Sequence, residues 1–129
     1  MKALLALLLG ISVATPAAAQ TASPPQAQQL FLLLFRPGPA WQAGLPMARQ
    51  NLREHAAYHA RLVAESRSVA AGGYVGEEGG MAIIRAADLT EARAILAADP
   101  AIQNGVFVAE LRQWQPRYVN DRPLVETPR

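Results

Sequence analysis

The sequence predicts an α+β domain of the split βαβ, or ferredoxin-like, kind: a βαββαβ chain with a four-stranded antiparallel sheet and two helices on one face. Three observations lead there. Leu30 to Phe35 is an unbroken apolar run that stops sharply at Arg36-Pro37-Gly38-Pro39, as a buried strand does. Two stretches with helical spacing are each followed by a strand-like segment, in the order strand, helix, strand, strand, helix, strand. Apolar residues also stand side by side in three of the strands: Leu32 with Leu33, Ile83 with Ile84, Phe107 with Val108. That is the pattern of a sheet covered on both faces. Two helices cover one face only, so the other needs a partner, and a homodimer packed sheet on sheet is the simplest supply.

The chain opens on an export signal, expected over residues 1–19. Lys2 gives the short positive start, Ala3 to Val13 the apolar core and Ala17-Ala18-Ala19 the small-residue cleavage site. A permanent membrane anchor needs about 20 apolar residues, so this run is too short to be one. The expected location is periplasmic or secreted, with no membrane attachment after cleavage. There is no cysteine, which excludes lipidation at a cysteine and also disulfides, although an exported protein could form them. Residues 20–29 are polar and contain Pro24-Pro25, a leader expected to be disordered.

The domain itself is expected over residues 30–114. After the first strand, a loop containing Trp41 leads to a helix over Pro46–Ser68. Leu52, Ala56, Leu62 and Val63 form its apolar stripe, and His55 and His59 lie on the same stripe. Val69 to Val75 reads as a strand with Gly72 and Gly73 inside it, Glu77 to Gly80 as a turn, and Met81 to Arg85 as the hairpin partner. Asp88 with Glu91 three residues on starts the second helix, and Asp99-Pro100 stops it. Val106 to Trp114 is the last strand, and the proline-containing tail, 115–129, is irregular.

Composition narrows the function. The formal charge is +2, and every basic residue except Lys2 is an arginine scattered among acids. A nucleic-acid partner would call for a clustered basic face. No phosphate-binding glycine loop and no G-x-S-x-G elbow is present. The chemistry therefore falls on His55, His59 and Asp99. Imidazoles on a buried stripe need partners. A carboxylate in the last turn of a helix would meet the negative end of the helix dipole, and a residue that breaks a local rule is a place to look for function. His55 and His59 are spaced i, i+4 and could share a metal, but Ala56 stands where the metalloprotease pattern has glutamate. The only further ligands in view are Asp99 and Glu110. No metal and no cofactor is expected, and His59 is read as pocket-lining. Arg36, Trp41, Tyr58 and Gly72 are the other candidates for the wall of a pocket that binds a small molecule.

The stretch from His55 through E-S-R-S-V-A-A-G-G, then A-D-L-T-E-A-R-A-I-L-A-A-D-P and V-F-V-A-E-L-R-Q-W, resembles the YCII-related (YciI-like) family from about Leu30 to Trp114. The resemblance implies a dimeric α+β barrel built from ferredoxin-like units. It also implies an active site made of a helix histidine and an aspartate before a proline, which match His55 and Asp99 here. The family often has glycine where Ser66 stands and proline where Gly73 stands. Some similar proteins are linked to dehydrochlorination of chlorinated aromatics. The reading that follows is a small enzyme in which a His-Asp pair moves a proton in an elimination or hydrolysis. A non-catalytic module that binds a small ligand, or serves as a structural dimer, is the alternative.

Overall fold

The structure, a computed structural model, describes residues 27–120 and 122–124. The expected signal and most of the leader lie outside the described residues. Four strands form one antiparallel sheet: β1 (Gln29–Pro37), β2 (Ser68–Gly73), β3 (Gly80–Ala86) and β4 (Phe107–Trp114), in the order β2-β3-β1-β4. Two main helices, α1 (Arg53–Ala64) and α2 (Leu89–Ala97), join them in the expected βαββαβ order. A short helix, α3 (Pro100–Gln103), follows α2.

Register divides the sheet into two faces. Phe31 lies opposite Ile84, Leu33 opposite Ala82, and Phe35 opposite Gly80 on β3. Because side chains alternate along a strand, Phe31, Leu33, Phe35, Ala82 and Ile84 all point to the helix side, where they are buried with Leu62 of α1 and Ile95 of α2. The other face carries Leu30, Leu32, Leu34, Met81 and Ile83, half-buried, with the exposed Val108 and Trp114. Among the described residues no helix packs over it. No described helix is long and apolar enough to cross a membrane.

The long helix expected over Pro46–Ser68 is shorter at both ends. At its start, Met47–Arg49 is a single 3-10 turn and Gln50 is extended, with φ −72° and ψ 157°. Gln50 is buried because its side chain serves the preceding loop. It accepts from the Gln42 N–H at 3.0 Å and donates to the Gln42 and Leu45 carbonyls at 2.8 and 3.0 Å. Those bonds hold the chain out of the helical path until Arg53. At its end, Ser66 takes a left-handed conformation (φ 58°), so that the Ser66 and Arg67 N–H groups close on the carbonyls of Val63 and Leu62. This is a Schellman stop.

The α2 start is as expected. Asp88 accepts from the Glu91 N–H at 2.8 Å, and Glu91 reaches back to the Ala87 N–H at 2.7 Å. Its other end differs from the expectation. The helix stops at Ala97, and Asp99 does not lie in its last turn; it caps the N-terminus of α3, with Pro100 at the first helical position. There the dipole favours a carboxylate, and proline is well placed because its missing N–H is not needed. Strand β2 carries a bulge, where its pairing with β3 slips between Ser68 and Ala70.

A left-handed serine is strained by roughly 1–2 kcal/mol relative to a right-handed one, and glycine relieves that strain at some cost in chain entropy. Ser66→Gly is therefore expected to stabilise the domain by about 0.5–1 kcal/mol, read as a higher urea midpoint at unchanged slope.

Candidate functional site

Helix α1 turns two imidazoles towards one carboxylate. His55 and His59 are one helical turn apart, with ring centroids 4.6 Å from each other. His55 Nδ1 lies 2.9 and 2.8 Å from the two oxygens of Asp99, and His59 Nε2 lies 3.0 Å from Oδ2. Oδ1 also accepts the Ala101 N–H at 2.9 Å, the first turn of α3. Asp99 has no solvent exposure at all. Three N–H groups take the place of water around it.

Aromatic rings set the walls. The Phe35 ring meets both imidazoles edge-on, at 5.2 Å from His55 and 5.6 Å from His59. Phe107 meets His55 at 5.4 Å and is itself stacked on Trp41 at 5.4 Å. The imidazoles are thus enclosed by strand aromatics while α1 sets their spacing.

The charge state of Asp99 follows from a contest. Burial alone pushes its carboxyl up. The hydrogen bonds from His55 and His59, the charge at His55 and the Ala101 N–H outweigh burial and bring it down to about 2, from an ordinary 3.8. With Asp99 an acceptor only, each histidine must donate: His55 through Nδ1 and His59 through Nε2. Nε2 of His55 is then left without a protein partner, on a side chain that still reaches solvent. Nδ1 of His59 is buried and has no partner.

A cavity of about 650 Å³ opens beside this cluster, between α1 and the glycine-rich end of the β2–β3 hairpin. His55, His59 and Gly72 line it, and Asp99 sits directly behind the two imidazoles. Trp41 lies one layer back: it stacks on Phe107 and donates its indole N–H to Glu78 at 3.2 Å. The structure does not bring Tyr58 or Arg36 to the cavity. Tyr58 is on the α2 side of α1, where its hydroxyl donates to the Ile95 carbonyl at 2.7 Å, and burial, with Asp99 adding to it, raises its pKa. Arg36 is exposed, one residue after the inward Phe35, and alternation sends it to the far face of the sheet. Phe35, Phe107, Met47, Ala60 and Met81 line the cavity unforeseen. Only Ala60 had a readable signal, four residues after Ala56 on the helix.

His55, His59 and Asp99 each offer one atom within 4.8 Å of the others, a donor set of the kind divalent metals take. In the structure both ring nitrogens instead stand at hydrogen-bond distance from the carboxylate.

A family model for the YCII-related domain matches residues 30–115 of the chain. No curated protein matches it.

The lowered carboxyl pKa has a consequence for stability. A group depressed on folding stabilises the folded state above its ordinary pKa and loses that contribution as pH falls through the folded value. Between about pH 4 and pH 2 the domain is expected to lose about 2 kcal/mol through Asp99 alone, taking 1.36 kcal/mol per unit. Urea melts of the chain and of Asp99→Asn across that window check it: the variant should lack this part of the loss.

Proposed function

The chain belongs to the YCII-related family, and from that premise we propose that it is a small enzyme in which His55 and Asp99 transfer a proton on a small organic substrate. One observation carries the reading. A buried carboxylate holds Nδ1 of a histidine that lines an apolar cavity and whose other nitrogen has no protein partner. With Nδ1–H committed to Asp99, the lone pair of His55 is on Nε2. That atom accepts the substrate proton, Asp99 stabilises the imidazolium that forms, and Nε2 returns the proton to a leaving group or to the product. An elimination or a hydrolysis fits this inventory, and the step needs only a base positioned beside an apolar cavity.

His59 has a supporting role in this scheme. It holds Oδ2 beside the reacting imidazole, a second donor that stays in place while His55 changes charge. The alternative, a module that binds a small ligand without transforming it, needs the cavity but not the coupling of His55 to Asp99. NMR titration of the two imidazoles in the mature protein separates them. Asp99→Asn is expected to change the His55 curve, because the carboxylate is hydrogen-bonded to Nδ1 of that ring. A His55 curve indifferent to that substitution would remove the proton-transfer machinery and leave the binding module.

We assign the uncovered sheet face to a second copy of the chain, and the protein to the periplasm or the exterior on the strength of its first 19 residues. Leu32, Leu34 and Ile83 share that face at the centre of the sheet, where an apolar patch calls for a cover. Sedimentation of the mature chain should give a dimer. Ile83→Glu should shift it to monomer, since a charge in a packed sheet interface is desolvated without a partner.

A further inference from the structure

The cavity beside His55 also carries information about what it takes, an inference that rests on the proton-transfer reading above. Small residues make much of its walls, Ala56 and Ala60 on α1 and Ala71, Gly72 and Gly73 on β2, beside the larger Met47, Leu52 and Val63. Phe35 and Phe107 form its aromatic end, next to the imidazoles. Among the described residues, no lysine, arginine, aspartate or glutamate lines it, and the two histidines are the only ionisable side chains on its surface. The charge of Asp99 behind them is enclosed and already matched by three donors.

An anion entering this space would give up its water with only the histidine end to replace it. A cation would meet no carboxylate on the wall among the described residues. An apolar body, by contrast, gains from burial against alanine, glycine and phenylalanine. Polar recognition is confined to the histidine end. There His55 presents a free Nε2, and His59, 6% exposed, has a ring nitrogen with no partner.

We propose that the cavity takes an uncharged, largely apolar molecule of one or two rings, seated with a single acidic O–H or C–H group against His55. Small side chains on both walls leave a slot for the body of the molecule, and the aromatic end packs against its polar head. Phosphorylated metabolites and polycarboxylates are excluded as substrates.

The test uses three probes with one ring system and different charge: 2-naphthol, 2-naphthoate and 2-naphthyl phosphate. Each is titrated into the mature protein at about pH 8, above the ordinary imidazole range, with calorimetry for affinity and the His55 ring resonances for location. The expected result is saturable binding of 2-naphthol that shifts the His55 signals, with both anions at least tenfold weaker. Ala60→Phe and, separately, Ala56→Leu should weaken 2-naphthol at least tenfold. Both positions are exposed on α1, so the larger side chains enter the slot and not the core. Anions that bind as well as 2-naphthol would overturn the proposal, as would 2-naphthol binding that ignores both substitutions. Its failure is distinct from that of the catalytic reading. His55 can respond to Asp99→Asn while naphthol fails to bind, and naphthol can bind while His55 ignores that substitution.

Discussion

A buried carboxylate is the constraint on which the rest of this domain depends. Asp99 has no contact with solvent and stays ionised. An ionised group in that position is stable only if donors replace its hydration. Three N–H groups do so, from two separate elements: His55 and His59 on α1, and Ala101 at the start of α3. Each demand of that arrangement can be followed outward. The two imidazoles must be one turn apart on a regular helix, so α1 must be helical from 55 to 59. The Ala101 N–H must point at Oδ1, so the chain must break after α2 and restart at Pro100. Phe35 must close the space beside both rings, which fixes where β1 lies against α1.

The contacts around Asp99 are unequal in what they do. Ala101 contributes a backbone N–H that keeps its charge state at any pH. His55 and His59 contribute donors that can gain or lose a proton. Between those two the surroundings differ: His55 keeps an open nitrogen, whereas the free nitrogen of His59 is buried with no partner. The environment thus separates two chemically identical side chains, both on the cavity wall and both bonded to the acid, into one with an open nitrogen and one whose free nitrogen is closed off. Asymmetry of this kind is how a site assigns roles to like residues.

Much of this was legible in the sequence, and the reasons for the rest are physical. The βαββαβ order came from short-range signals: the apolar run at Leu30–Phe35, the capping pair Asp88 and Glu91, the break at Asp99-Pro100. These depend on near neighbours, which a sequence displays. The pairing of His55 with Asp99 rested on family resemblance, because 44 residues separate them and no local rule spans that distance. The part of His59 was missed for the same reason: spacing put it on the right face, but only the fold reveals that one carboxylate serves both rings. Gln50 misled the helix start because its three hydrogen bonds reach into a loop. Asp99 was assigned to the wrong end of a dipole because α3 is four residues long, too short to show a period. Arg36 and Tyr58 were placed by proximity in sequence, and strand alternation and the α2 contact sent them elsewhere.

Strand β1 ties the site to the open face of the sheet. It is a central strand, paired with β3 on one side and β4 on the other, and its residues point alternately to the two faces. Phe35 touches both imidazoles, while its chain neighbours Leu34 and Arg36 stand on the opposite surface. A copy of the chain seated on that surface, as proposed, would press on the strand that carries Phe35 without reaching the cavity itself. Covering the second face and holding the aromatic wall still are then one task. Apolar residues run consecutively through Leu30–Phe35 on this account: odd positions make the core and the site, and even positions form the open face that the proposed copy would cover.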